Sequence, residues 1–198
     1  MKLYYFPGAC SLAVNIALRE AGIDFELVRV DLATQMAGDG SKYRSVNPKG
    51  YVPALRLDDG RVLTENVAIL QYVADLKPQS HLAPPAGTFE RYRLMEWLSF
   101  INSELHKGFS PLFADHAPEA LRTFVLDRLF KRFDYLQSVL QSPFVLNGQF
   151  TVADAYLFTV LGWAAEVGVR LERWPALTRY QQHIGERPWV AAARESEK

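Results

Sequence analysis

The spacing of apolar and polar residues near the start of the chain predicts a strand, a helix and a second strand. Residues 3–6 form a short apolar and aromatic run typical of a buried strand, and the Pro-Gly pair at 7–8 ends it. From Ser11 the apolar residues recur at helical spacing as far as Gly22, a residue type that often follows a helix end. Residues 25–32 then partly alternate between apolar and charged side chains, as strands do. This order predicts a βαβ unit whose strands are parallel.

The next stretch predicts a loop, a hairpin and another helix. Residues 33–47 are polar and contain two glycines, which favours a loop with room for a short helix. Residues 52–57 and 61–64 read as two strands around an Asp-Gly turn, and residues 67–76 have a helical apolar face. The order βαβ followed by ββα predicts an α/β domain with a mixed four-stranded sheet.

Proline and glycine are concentrated between residues 77 and 87, which indicates a linker. We therefore assign residues 1–80 to a first domain, 81–87 to the linker and 88–198 to a second domain. Beyond the linker the apolar spacing predicts helices and no strand, at residues 88–107, 118–140, 153–167, 176–185 and 189–193. The second domain is expected to be an all-α helical bundle.

Composition narrows the function classes and the compartment. The 198 residues carry 22 basic and 22 acidic side chains, and this balance argues against nucleic acid or an anionic membrane surface as the main partner. The single cysteine excludes an internal disulfide and a multi-cysteine zinc site, which favours a reducing compartment. No apolar stretch approaches the ~20 residues that a membrane helix needs. We expect a cytoplasmic protein, and its near-zero net charge favours self-association.

The cysteine, Cys10, lies where the first strand ends and the first helix begins. The first N–H groups of a helix are unpaired there and the helix dipole favours negative charge, so a thiol at this place loses its proton more readily. The alternative is a small buried hydrophobe, and position alone leaves both open. No second cysteine follows at the spacing of a dithiol motif. A lone reactive thiolate that formed a mixed disulfide would need an external thiol to release it.

The dipeptide Glu65-Asn66 opens the helix after the hairpin. A helix N-terminus is a ready site for a carboxylate, and the Glu65 side chain beside it could hold an amine. The pair would suit an α-amino acid group such as the γ-glutamyl end of glutathione. The alternative is that Asn66 simply caps the helix.

A second ridge on the helix at 88–107 carries Ser99, Ser103, His106 and Lys107. Their spacings of four and three place them on one side, away from the leucine face. The functional interpretation is that they place positive charge near a thiolate and that His106 acts as acid or base. The alternative is a solvated helix end.

Two further motifs complete the pattern. Val52-Pro53 precedes the hairpin, and residues 151–154 read as a capping box with Asp154 in its third helical position. The first domain thus resembles the thioredoxin fold, in which a cis proline faces a thiol at the first strand-to-helix turn. With a Pro-rich linker and an all-helical domain, the whole chain resembles the cytosolic glutathione transferases of the bacterial beta class.

This resemblance implies a homodimer that uses glutathione as co-substrate and needs no metal. Cys10 and His106 would be the catalytic residues near the glutathione sulfur, and Cys10 could form a mixed disulfide with it. The residues implied for glutathione binding are Gln35, Val52, Pro53, Glu65, Asn66, Ser99, Ser103, Glu104 and Lys107.

Within that set the resemblance implies distinct roles. The backbone of Val52 would pair with the cysteinyl part of glutathione, and Ser103 and Glu104 would reach the ligand across the dimer interface. The class often has Lys at the position of Gln35 and Asn at that of Ser99. These departures predict a lower glutathione affinity than the class norm.

We therefore expect a glutathione transferase that conjugates the glutathione thiol to hydrophobic electrophiles. One alternative is a glutathione-dependent thiol–disulfide reductase or peroxidase acting through Cys10. Another is a non-catalytic binding protein on the same fold, since fold does not settle function. Detoxification, redox repair and a catabolic step all remain open as cellular roles.

Overall fold

A computed structural model describes residues 1–114, 116–146 and 148–198, and the chain divides into two compact units. The first comprises Met1–Ala83 together with Arg187–Lys198, and the second is Pro84–Glu186. The break between Ala83 and Pro84 falls inside the predicted linker. The C-terminal residues, however, group with the first unit and not with the helical domain to which the sequence assigned them.

The first unit is built on a mixed sheet with β1 at its centre. The strands are β1 (Lys2–Tyr5), β2 (Glu26–Asp31), β3 (Met36–Ala37), β4 (Ala54–Arg56) and β5 (Val62–Thr64). Their order across the sheet is β3-β2-β1-β4-β5. β1 pairs in parallel with β2, whereas the pairs β2 with β3, β1 with β4 and β4 with β5 are antiparallel.

The sheet has five strands, so the prediction of four was wrong. The additional strand β3 has two residues and lies in the segment predicted as loop, where it is too short to show an alternating pattern. Its residue Ala37 pairs with Val30 and joins the buried cluster of the sheet around Tyr4 and Tyr43. That burial explains why a polar segment still adds an edge strand.

Four helices described in the first unit are α1 (Ser11–Glu20), α2 (Tyr43–Val46), α3 (Asn66–Leu76) and α9 (Pro188–Ser196). The contact of α9 with α1 explains the grouping of the C-terminus. The buried amide of Asn15 donates to the carbonyl of Ala193 at 3.4 Å and to Glu197 at 3.1 Å. Arg187 donates two hydrogen bonds to Glu20, at 2.7 and 2.8 Å. Polar pairs of this kind leave no period in the sequence, so the pattern alone could not place α9.

Every regular element described in the second unit is a helix, and no strand lies among its described residues. Its helices are α4 (Phe89–Phe100), a π-helical segment (Ile101–His106), α5 (Lys107–Phe109), a 3₁₀ helix (Ser110–Phe113), α6 (Glu119–Val139), α7 (Val152–Glu166), a second 3₁₀ helix (Leu171–Arg173) and α8 (Pro175–Gly185). The helix predicted at 88–107 is therefore not a continuous α-helix. It is α-helical over Phe89–Phe100, and the next six residues, Ile101–His106, are π-helical. In the described part of the chain, no helix is both long enough and apolar enough to cross a bilayer.

The predicted capping box at the start of α7 is confirmed. The carboxylate of Asp154 accepts from the backbone N–H of Thr151 at 2.8 Å and from its hydroxyl at 3.0 Å. It also accepts from the N–H of Val145 at 2.8 Å and the hydroxyl of Tyr180 at 3.0 Å. Burial raises the pKa of Asp154 to about 6, against the opposing effect of these four donors. The box therefore joins three segments of the second unit and does more than end a helix.

We expect Thr151→Ala to lower the free energy of unfolding by about 0.5–2 kcal/mol, because it removes a capping side chain that is buried. Urea denaturation followed by circular dichroism measures the change. The matched control is Thr123→Ala, an exposed threonine inside α6, where alanine has the higher helix propensity. Equal losses in both variants would contradict the assigned role of Thr151.

Candidate functional site

Cys10 occupies the predicted place between the first strand and the first helix. β1 ends at Tyr5 and α1 begins at Ser11, so the cysteine stands at the N-cap position. Its side chain is only 7% exposed. Its Sγ lies 3.4 Å from the carbonyl oxygen of Val52 and donates a hydrogen bond to it. The peptide bond between Val52 and Pro53 is cis, as the resemblance implied.

This contact bears on the state of the sulfur. A hydrogen bond to a carbonyl oxygen requires the thiol proton, since a thiolate and a carbonyl oxygen are both acceptors. The arrangement therefore favours the protonated thiol of Cys10 over the thiolate that the helix terminus suggested. Burial also limits reagent access to the sulfur, which reactivity requires in addition to a thiolate.

Asn66 is the first residue of α3 and its side chain is 5% exposed. Neither Oδ1 nor Nδ2 of the amide has a hydrogen-bond partner among the residues that the structure describes. The alternative that Asn66 only caps the helix is therefore wrong, because Glu65 occupies the cap position and no side chain caps it. A buried amide without partners costs roughly 1–3 kcal/mol, so its presence calls for an explanation, and a polar ligand is one.

The carboxylate of Glu65 lies at the same helix end. It forms an ion pair with Lys49, and the hydroxyl of Tyr51 donates to it at 3.1 Å. The carbonyl of Tyr51 in turn accepts from the hydroxyl of Tyr43 at 2.9 Å and from the amide of Asn47 at 2.6 Å. Burial raises the pKa of Tyr43 to about 12, so its hydroxyl remains a donor at neutral pH. Tyr51 and the adjacent Val52 thus connect the Glu65 end of the site to Cys10.

The amide of Gln35 is tied to the backbone. Its Nε2 donates to the carbonyls of Leu32 at 2.8 Å and Gly50 at 3.1 Å, while its buried Oε1 has no partner within the described ranges. The guanidinium of Arg44 and Gln35 Oε1 both lie close to the Cα of Gly50, where a Cβ would meet each at 2.9 Å. Sequence reasoning missed Arg44, which lies in the segment predicted as loop, and it missed Lys49 and Tyr51, which lie between that loop and the predicted hairpin.

The predicted residues of the second unit fall in and around the π-helical segment. Ser99, Ser103 and Lys107 are exposed, and the hydroxyl of Ser103 donates to the carbonyl of Ser99 at 3.0 Å. The guanidinium of Arg132 donates two hydrogen bonds to Oε2 of Glu104, at 2.8 and 2.6 Å. The wider π-helical turn changes the spacing that the predicted ridge assumed.

His106, in contrast to the exposed residues of this group, contacts side chains of α7 through a hydrogen bond and a ring contact. Its Nδ1 lies 2.6 Å from the hydroxyl oxygen of Tyr156, and that hydroxyl donates to Oδ1 of Asn102 at 3.0 Å. Its ring meets the ring of Trp163 edge to face at a centroid distance of 4.9 Å. Sequence reasoning missed Tyr156 and Asn102, because a tyrosine within an apolar helix reads as core.

Comparisons with known proteins agree with this arrangement. The family model for the glutathione S-transferase N-terminal domain matches residues 8–76, and the C-terminal domain model matches residues 100–188. The glutathione S-transferase GstA of Escherichia coli O157:H7 is 50% identical over 100% of this chain and 98% of its own length. The chain belongs to the glutathione S-transferase family.

Solved structures of other glutathione S-transferases match over the full length of this family member. The sphingomonad enzyme in complex with glutathione is 47% identical, with a TM-score of 0.97 over 100% of this chain and 98% of that one. The bacterial beta class enzyme of Sphingomonas chungbukensis is also 47% identical, with a TM-score of 0.96 and the same coverage. The class predicted from the sequence motifs is confirmed.

Among the described residues, no group of three or more His, Cys, Asp or Glu side chains lies close enough together to hold a metal ion.

We expect Asn66→Leu to raise the free energy of unfolding by about 1–3 kcal/mol, because leucine has the same number of side-chain heavy atoms and removes the buried amide that lacks partners. The matched control is Asn47→Leu. Asn47 is equally buried, but its amide donates to Tyr51 and accepts from the N–H of Lys49, so its loss should destabilise. Urea denaturation of both variants checks the contrast, and destabilisation by both would show that Asn66 has a structural role.

Proposed function

We propose that this protein is a glutathione transferase whose first unit holds glutathione and presents its thiol to hydrophobic electrophiles. The observation that supports it most directly is the buried, unpartnered amide of Asn66 at the N-terminus of α3. A relative that is 47% identical forms a complex with glutathione. Several groups of the first unit suit the individual parts of this tripeptide.

The γ-glutamyl end fits the start of α3. Its carboxylate would accept from the amide of Asn66 and from the unpaired N–H groups of the first helical turn, where the helix dipole also favours an anion. Its ammonium group would donate to the carboxylate of Glu65 and to Asn66 Oδ1. The ion pair between Glu65 and Lys49 is half-exposed and weak, so it competes little with such a ligand.

The cysteinyl and glycyl parts would extend along the loop before β4. The backbone of Val52, followed by the buried Pro53, would pair with the cysteinyl residue beside Cys10. The guanidinium of Arg44, close to Gln35, supplies a cation for the glycyl carboxylate. It offsets the loss of charge expected from having Gln35 in place of a lysine.

The chemistry proposed is nucleophilic attack by the glutathione sulfur. The thiol gives its proton to a base, for which we propose His106, and the thiolate attacks an electrophilic carbon. The S–C bond forms while the bond from that carbon to its leaving group breaks, and the leaving group takes the electron pair. The protein would orient the two reactants and favour the thiolate, and both effects accelerate such a reaction.

The remaining sequence predictions stay part of this proposal. Ser99, Ser103 and Lys107 offer exposed polar groups, whereas the carboxylate of Glu104 already accepts from Arg132. A homodimer, a cytoplasmic location and a role in detoxification are also proposed on the family resemblance.

We expect Asn66→Leu and Glu65→Gln each to raise the dissociation constant for glutathione about tenfold or more, the loss of roughly 1.4 kcal/mol from one strong polar contact. Isothermal titration calorimetry measures it. The matched control is Glu26→Gln, a carboxylate of the same unit that pairs with Lys2 at 3.3 Å and should leave affinity unchanged. No binding heat from the wild-type protein at millimolar glutathione would overturn the proposal and favour a non-catalytic protein.

We expect Cys10→Ala to keep conjugation of an aromatic chloride within about tenfold of wild type, because the glutathione thiol is the nucleophile. Mixed disulfide formation with oxidised glutathione, followed by intact-protein mass spectrometry, should disappear. Loss of both activities, with glutathione affinity retained, would instead make Cys10 the reactive centre and support the thiol–disulfide reductase alternative.

A further inference from the structure

Three side chains of the second unit form a short chain of hydrogen bonds that ends at the imidazole of His106. Asn102 and His106 lie four residues apart in the π-helical segment, and both reach the hydroxyl of Tyr156 on α7. The two distances are 3.0 Å from Tyr156 Oη to Asn102 Oδ1 and 2.6 Å from Tyr156 Oη to His106 Nδ1. Tyr156 is fully buried, so its hydroxyl is held in place by its surroundings.

The number of protons shared along this series of hydrogen bonds determines the tautomer of the His106 imidazole. An amide oxygen only accepts, so the contact with Asn102 uses the one proton of the Tyr156 hydroxyl. The contact with His106 therefore needs a proton on Nδ1. In a neutral imidazole one nitrogen carries the proton and the other is an acceptor, so Nε2 holds the lone pair.

We propose that Tyr156 is a positioning residue that fixes His106 as the Nδ1–H tautomer and makes Nε2 the proton acceptor. The inference rests on the proposed function, in which the proton of the glutathione thiol passes to His106. The S–H bond breaks, its electron pair stays on sulfur, and the proton forms a bond to Nε2. The opposite tautomer would present an N–H group at that position and could not accept.

Aromatic contacts add a second constraint on the same ring. The imidazole meets Trp163 at an interplanar angle of 74° and Tyr156 at 88°, both edge to face. Ring contacts of this geometry hold the plane of the imidazole while the hydrogen bond at Nδ1 sets its rotation. The two constraints together fix the direction of Nε2.

Nitrogen NMR of the full-length protein labelled with ¹⁵N-histidine tests the tautomer directly, at a pH where the ring is neutral. The chain has four histidines, and the spectrum of His106→Gln assigns the signals of His106. We expect a protonated-type shift at Nδ1 and a lone-pair-type shift at Nε2. A proton on Nε2 in the wild-type protein would overturn the proposal.

Two variants test whether Tyr156 causes this. Tyr156→Phe removes the acceptor at Nδ1, and Asn102→Ala frees the tyrosine proton to point at Nδ1, so both should shift His106 toward the Nε2–H form. The matched control is Tyr180→Phe, which removes another buried hydroxyl that donates to Asp154. It should lower stability and leave the tautomer unchanged. If Tyr156→Phe does not fold, Asn102→Ala decides alone, because Asn102 is only partly buried.

Kinetics separate this proposal from the proposed function. We expect Tyr156→Phe to lower kcat/KM for an aromatic chloride about tenfold with the KM for glutathione unchanged, while Tyr180→Phe changes neither. His106→Ala could be as active as wild type while Tyr156→Phe and Asn102→Ala still change the tautomer of His106. In that case the positioning role of Tyr156 stands, and the assignment of His106 as base fails. If the tautomer persists in both Tyr156→Phe and Asn102→Ala, the positioning proposal fails whatever the activity.

Discussion

The candidate site of the first unit depends on the antiparallel register between β1 and β4. Tyr4 lies opposite Ala54, and both are fully buried in the core of the sheet. Because the two strands run in opposite directions, the chain leaving β1 and the chain entering β4 meet at one end of the sheet. Cys10 follows the first and Val52 precedes the second, which brings Sγ within 3.4 Å of the carbonyl. A slip of one residue between the strands would turn Tyr4 away from the core, so the burial of Tyr4 stabilises this register. The register in turn sets the distance between Cys10 and Val52.

The buried polar side chains fall into two groups, those that have hydrogen-bond partners within the protein and those that do not. Asp154 is fully buried and accepts four hydrogen bonds from its own unit, which marks it as part of the fold. Among the described residues, the buried side-chain oxygen and nitrogen atoms without partners belong to Gln35 and Asn66. Both residues were predicted as glutathione-binding. Unsatisfied groups therefore concentrate where a polar ligand is proposed, whereas satisfied ones support structure.

Local patterns predicted most of the fold, and they failed where tertiary contacts decide the outcome. The βαβ unit, the hairpin and the helices of the second unit have strong periods and clear end signals, and they are present. β3 is too short for a period, and the π-helical segment keeps a helical composition while changing the hydrogen-bond pattern. The position of α9 depends on pairs such as Arg187 with Glu20, far apart in the sequence.

The site was predictable to a similar extent and for similar reasons. Cys10, Glu65 and Asn66 stand at element boundaries, where sequence signals are strongest. Whether Asn66 capped its helix could not be read from the sequence, since an asparagine suits either role. The proposed role of Tyr156 was not predictable either, because it depends on one hydroxyl that contacts two side chains about fifty residues away in the sequence.

The energetics of Asn66 connect the ligand to the folded state. An unsatisfied buried amide costs roughly 1–3 kcal/mol, a large part of a typical net stability of about 5–15 kcal/mol. A ligand at a hundred times its dissociation constant stabilises the state it binds by about 2.7 kcal/mol, which is the same order. Glutathione bound at α3 would thus offset the free-energy cost of the unpaired Asn66 amide. The stability of the folded state would then rise with the glutathione concentration, and the contact with Asn66 would contribute to that rise.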